Sequence, residues 1–348
     1  MRPDQEGTSL GPPWERPLKG RFERLVIDSQ VLTDNPLGDP SRRPLYVYSP
    51  PGMSNDPHPS IYVIQGMTGQ LDMWLNRTAF EPNMIERLDA LFAAGECPSA
   101  IVVMVDAWTS YGGSQFINSA ATGRYMDYLC DEVVAFIDER YPTAPSRDHR
   151  GLSGKSSGGY GAMVVPMLRP DVFSGLASHA GDALFEACYL TEFPVTTRIL
   201  RDRFGSSYEA FWEHFRETES LDPKLHAPLN TYAMAACYSP DEDRPGEVVL
   251  PFDIDSGKII DEVWARWLAW DPVRMASPRV DALRSMRHIY LDAGLSDEYY
   301  LDLGAQAFSK ELSAHGIEHT LELFVGTHGG LQYRYPGAIA ALATALAV

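Results

Sequence analysis

Residues 151–163 read GLSGKSSGGYGAM, and within them Gly154-Lys155-Ser156-Ser157-Gly158 fits the spacing G-x-S-x-G. That spacing suits a serine nucleophile. A strand, a tight turn and a helix would throw the Ser156 hydroxyl out at the top of a sheet, with a helix N-terminus aimed at it. Small residues are demanded because such a turn is strained and flanking side chains would collide. Five matching residues arise by chance in many chains, and a Gly/Ser-rich loop is often only a loop, so context decides. Upstream, residues 147–152 can end a buried strand; downstream, residues 160–165 continue as an apolar helix.

A serine hydroxyl at neutral pH is a poor nucleophile. It needs a neutral imidazole to take its proton and a carboxylate to hold that imidazole. The last apolar run, Leu321-Glu322-Leu323-Phe324-Val325, leads into Gly326-Thr327-His328-Gly329-Gly330, a loop in which a histidine can project into a cleft. Of nine histidines, only His328 has this setting. His319 stands at the entrance of the same run, and His179, after the run at 173–178, is the rival base. The preceding run, 287–291, leads into Asp292-Ala293-Gly294-Leu295-Ser296-Asp297-Glu298. Asp297, beyond the glycine turn, is the preferred acid. Asp292 continues the strand and is expected to cap backbone amides there, and Glu298 is a third choice. An oxyanion needs two backbone N–H donors. Ser157 supplies one, and Gln65-Gly66-Met67-Thr68-Gly69 supplies the other through Met67 or, second, Thr68.

Positioning such residues calls for alternating strands and helices. Short β-branched or aromatic runs occur at 22–32, 45–48, 61–64, 101–105, before Ser156, and at 173–178, 288–291 and 321–325. Only a turn separates the first two, so they should pair antiparallel at one edge. Helical patterns fall at 82–94, 125–140, 158–168, 303–315 and 336–346. This rhythm predicts a mostly parallel eight-stranded sheet flanked by helices. Residues 184–277 break it. They hold Trp212, Trp264, Trp267 and Trp270 among Pro-broken helical pieces and no convincing strand. They read as a helical insertion over the active site, lid-like, with aromatics setting the depth of an acyl pocket. The plainer reading is a helical connection that packs its aromatics inward. Residues 1–20 read as a flexible arm.

The 348 residues, 45% hydrophobic and 11% aromatic, suffice for a large core. A net charge of −18 excludes a phosphate-reading surface, so neither nucleic acid nor an anionic membrane is expected as a partner. Cys97, Cys130, Cys188 and Cys237 form no C-x-x-C pair and read as reduced thiols rather than a metal site or disulfide frame. The polar, proline-rich N-terminus lacks the apolar region of a signal peptide, and no run of ~18 apolar residues could span a bilayer. A cytoplasmic location is expected, and a homo-oligomer is compatible with the sequence.

Gly154-Lys155-Ser156-Ser157-Gly158-Gly159-Tyr160-Gly161-Ala162, Asp292-x-Gly294-x-x-Asp297 and Thr327-His328-Gly329 together resemble the "putative esterase" branch of the α/β hydrolases. That branch includes esterase D (S-formylglutathione hydrolase), feruloyl esterases, enterochelin esterases and mycolyltransferases. The segment Tyr111-Gly112-Gly113-Ser114-Gln115-Phe116-Ile117-Asn118-Ser119, followed by Gly123-Arg124-Tyr125, is a further likeness. The resemblance covers about residues 22–180 and 280–345. It implies an α/β-hydrolase fold and acyl-serine chemistry on a small-molecule ester with Ser156, Asp297 and His328, without metal or organic cofactor. Gln65 departs from the pattern, since many relatives carry histidine there. The expected activity is carboxylic-ester hydrolysis, thioesters included. Acyl transfer to an alcohol, as in the mycolyltransferases, and a binding protein that kept the fold but lost its chemistry are the alternatives.

Overall fold

Two runs, Ser60–Ile64 (β3) and Ile101–Val105 (β4), are apolar almost without alternation, and every residue in them is buried. Strands covered on both faces have this character, so they belong at the centre of a parallel sheet. In the computed structural model, which describes residues 17–78, 80–220 and 222–348, they pair in parallel as Ile61 opposite Val102 and Ile64 opposite Val105. The first two strands, Arg21–Asp28 (β1) and Arg42–Ser49 (β2), pair antiparallel at the sheet edge, as their short connection requires. A two-residue hairpin follows β4, from Asn118–Ser119 (β5) and Gly123–Arg124 (β6). Then come Arg150–Lys155 (β7), Gly175–His179 (β8), His288–Gly294 (β9) and Thr320–Phe324 (β10). The eight-stranded sheet runs β1-β2-β4-β3-β7-β8-β9-β10, parallel from β4 onward. The expected fold class holds.

Met84–Ala94 (α1) begins at Asn83, whose side chain and that of Glu86 cap each other's backbone amides. The expected helix over 125–140 is three pieces: Tyr125–Asp127 (α2), a π-helical turn Tyr128–Val133, and Val134–Asp138 (α3). The wider turn lets Tyr128, Leu129, Cys130 and Val133 all face the core. Ser157–Leu168 (α4) follows β7, and Tyr160 through Met167 are buried along it. Residues 147–149, expected to belong to the strand before Ser156, instead form a 3-10 turn leading into β7. Between β8 and β9 lie Phe185–Cys188 (α5), Phe193–Phe204 (α6), Tyr208–Glu217 (α7), His226–Tyr238 (α8), Asp261–Leu268 (α9), Pro272–Ala276 (α10) and Val280–Arg284 (α11). Leu301–Ala314 (α12) and Tyr335–Ala345 (α13) complete the covering.

Of the arm expected over residues 1–20, residues 1–16 lie outside the described residues. The Asp89 carboxylate tethers the Lys19 and Gly20 amides at 3.0 and 2.7 Å, so the last part of that segment is fixed against α1. All four cysteines are unpaired. Among the described residues, no helix is long and apolar enough to cross a membrane.

Candidate active site

Strand β7 stops at Lys155 and α4 starts at Ser157, which leaves Ser156 alone in the turn with φ 58° and ψ −126°. That is a strained setting for a side chain with a Cβ, of the kind concentrated at functional sites. The Ser156 amide is held by the carbonyls of His179 (3.0 Å) and Ala180 (3.1 Å). A Cβ on Gly154 would stand 2.4 Å from the Gly158 carbonyl oxygen, and one on Gly158 would stand 2.4 Å from that of Ile64. The two glycines of the spacing are therefore fixed by contact between β7, β3 and α4.

His328 lies in the loop after β10, and its Nδ1 is 2.8 Å from Oδ2 of Asp297. A bond from Nδ1–H to the carboxylate leaves Nε2 with its lone pair free. Asp297 is buried, and its Oδ1 accepts the Tyr299 amide at 2.9 Å, so the acid is locked in place. Glu298 has a different duty. Its carboxylate accepts the His328 backbone amide at 2.9 Å, a bond that holds its pKa below the usual range. Ser156 and His328 line one cavity of about 270 Å³ with Gly66, Met67, Thr68, Ser157 and Tyr335. No hydrogen bond joins the Ser156 hydroxyl to the imidazole; such bonds often tighten only with substrate in place.

His179 and Asp292 form a second histidine–aspartate pair, Nδ1 to Oδ1 at 2.9 Å, and both are fully buried. Asp292 was expected to cap backbone amides; side chains claim it instead. Its Oδ2 accepts from Arg334 Nε (2.9 Å) and the Tyr290 hydroxyl (3.1 Å). Burial works to raise this carboxyl, and the bonds from His179 and Arg334 outweigh it and hold the pKa low. The reason is register: Lys155, His179 and Asp292 stand abreast on β7, β8 and β9, which points the aspartate across the sheet and away from strand-end amides. His319, bonded to Ser309 and the Ile317 carbonyl, lies apart from the cavity.

In the loop after β3, the Thr68 amide is spent on the Gly112 carbonyl at 2.7 Å, whereas no hydrogen bond engages the amides of Met67 or Ser157. Both of the latter residues line the cavity. Gln65 is buried with neither amide atom partnered. Among the described residues, no group of three or more His, Cys, Asp or Glu side chains could hold a metal ion.

A family model described as "Putative esterase" matches residues 40–334, most of the chain. The chain belongs to this family. A curated relative, an uncharacterized protein of Corynebacterium glutamicum, is 24% identical over 152 residues, which is 43% of this chain and 35% of the relative. This esterase-family chain thus spans about a third of that relative's length. Among solved structures it is similar to a ferulic acid esterase, with TM-score 0.59 and 15% identity over 95% of this chain and 100% of the other. It is also similar to an S-formylglutathione hydrolase from Agrobacterium tumefaciens, with TM-score 0.56 and 15% identity over 95% and 98% of the two chains. At these identities the likeness is one of fold.

Within this family fold, residues 184–277 lend the cavity Cys188, Tyr189, His226 and Asn230. None of the four tryptophans of that segment lines it. Trp212 packs with Tyr111, Phe211, Phe215 and Tyr232, and Trp267 with Tyr189, Phe193, Tyr238 and Trp264. Of the tyrosines, phenylalanines and tryptophans expected to set pocket depth, Tyr189 alone lines the cavity among the described residues. The sequence also gave no sign of Asp182, which faces the cavity and accepts from Tyr189 (2.7 Å), Gln115 (3.1 Å) and Ser157 (3.3 Å). Burial raises its carboxyl pKa, against those bonds. Behind His226 and Asn230, Glu192 accepts from Asn230 at 2.7 Å, and burial pushes its pKa up to about 7.

Proposed function

We propose that this chain is a serine-dependent carboxylic-ester hydrolase that works through an acyl-enzyme. The observation carrying the reading is the His328–Asp297 bond of 2.8 Å, beside a cavity that the imidazole shares with the elbow serine. In the reaction, Ser156 Oγ bonds to the ester carbonyl carbon as its proton passes to His328 Nε2. Asp297 keeps Nδ1 protonated and stabilises the imidazolium that forms. The unengaged amides of Met67 and Ser157 receive the negative oxygen, aided by the α4 N-terminus. The tetrahedral species expels the alkoxide, which leaves as alcohol with the proton from His328. Water, deprotonated by the same nitrogen, then attacks the acyl-serine carbonyl, and the acid is released as Ser156 regains its proton.

The test is Ser156→Ala with p-nitrophenyl acetate, alongside labelling by a fluorophosphonate read as intact mass. Turnover should fall by about three orders of magnitude or more, the scale reached when a triad member is removed. The label should appear on the parent protein only. A variant that turns over ester at the parent rate removes the proposal.

A further inference from the structure

Lys155, the residue between Gly154 and the elbow serine, lines the same cavity as Ser156 and is half-buried. It is the cavity's one lysine or arginine among the described residues. Lysines withdrawn from water are almost always paired. Among the described residues, its ammonium has no ion pair and no hydrogen bond, although three carboxylates act on its charge: Asp297, Asp182 and Glu298. Each of these is committed elsewhere. Asp297 serves His328 and the Tyr299 amide, Glu298 the His328 amide, and Asp182 the donors of Tyr189, Gln115 and Ser157. Its neighbour across the sheet, His179, is bound to Asp292. Burial draws the ammonium's pKa below that of a free lysine, a cost that an anion seated beside it would offset.

Resting on the hydrolase reading, we propose that Lys155 is an anion subsite and that the preferred substrate is a small ester bearing one carboxylate. Because Lys155 precedes the nucleophile directly, the carboxylate must sit within a lysine's reach of the scissile carbonyl. A cavity of about 270 Å³ also favours a compact molecule. Monoesters of short dicarboxylic acids, or acyl esters of a hydroxy acid, have that form. Lys155 then acts as a specificity residue: a bound carboxylate replaces the missing protein partner, and a neutral analogue leaves the ammonium unpaired. Discrimination by an unpaired buried polar group is stronger than discrimination by size.

The two sources of the carboxylate are separated by two substrate pairs. Monoethyl succinate against ethyl succinamate places the charge on the acyl side, and 4-acetoxybenzoate against 4-acetoxybenzamide places it on the leaving group. In at least one pair the parent protein should favour the anion about tenfold or more in kcat/KM. Lys155→Met should bring that ratio to twofold or less, with the loss in KM, and Lys155→Arg should keep most of it. An anion preference absent from both pairs, or one that survives Lys155→Met, overturns the subsite while leaving the hydrolase reading intact. No turnover of the four esters by a parent that hydrolyses p-nitrophenyl acetate overturns the subsite alone, and no turnover of any of the five overturns both. If Lys155→Met does not fold, the parent's ratios and those of Lys155→Arg decide the matter.

Discussion

Two histidine–aspartate pairs lie within one sheet's breadth of Ser156, and exchanging each aspartate for asparagine assigns them. In Asp297→Asn the amide oxygen can stay with the Tyr299 amide only if the NH₂ faces His328 Nδ1, so the proposed base is held with its proton on Nε2 and loses the carboxylate that offsets its charge. Loss of about 10⁴ in kcat is expected, or about 5 kcal/mol of transition-state stabilisation. The fold should suffer little, because the Tyr299 amide can still bond an amide oxygen. Asp292→Asn should do the reverse. Asp292 is fully buried among three donors, from His179, Arg334 and Tyr290, and an asparagine there turns an NH₂ toward at least one of them. Breaking a buried charge pair costs about 3–5 kcal/mol, and at roughly 2 °C per kcal/mol in a chain this long Tm should drop by roughly 6–10 °C. Initial rates on p-nitrophenyl acetate at 20 °C, with thermal unfolding by circular dichroism, separate the outcomes. A folded Asp292→Asn protein that is dead beside an active Asp297→Asn protein would refute the assignment.

Gly158→Ala tests the elbow itself: with a Cβ 2.4 Å from the Ile64 carbonyl, β3 and α4 cannot keep their contact, so the variant should lose esterase activity and most soluble yield, and full activity would contradict the packing argument. Glu192 predicts a pH effect on stability. Held near 7 when folded against 4.5 when free, it binds its proton more tightly in the native chain, so its contribution is complete below pH 4.5 and is lost as pH rises through 7. The span is about 3 kcal/mol. Glu192→Gln keeps an acceptor for Asn230 without the titration, so it should be more stable than the parent at pH 8 and comparable at pH 4.5 by urea midpoint; parallel pH curves would sink this reading.

What could be read in the sequence follows from what each residue must do. The β3 and β4 runs are legible because a strand buried on both faces leaves no polar position to confuse the pattern. Asp297 and His328, the proposed acid and base, stand out because each lies within three residues of a glycine at a strand end, Gly294 closing β9 and Gly326 just past β10, the place from which a side chain can enter a cleft. Asp292 is different: its partner depends on which way a strand-end side chain faces, and that is set by the register across β7, β8 and β9, which no single segment encodes. The same register hides Lys155. Within the motif it occupies a position that tolerates any residue, and its isolation emerges only when the acids around it are seen bonded to other donors. The cavity wall from residues 184–277 was obscured for a further reason. Tryptophan content reports where a helical segment buries area, and here that area goes into packing: Trp267 into the core shared with α4, β8, β9 and α12, and Trp212 into a smaller cluster with Tyr111. The residues that reach the cavity, Cys188 and Tyr189 near α5 and His226 and Asn230 on α8, are separated by a helical hairpin and carry no shared pattern. The segment therefore meets the cavity through His226 and Asn230 of α8 and through Cys188 and Tyr189, rather than through the tryptophans that dominate its composition.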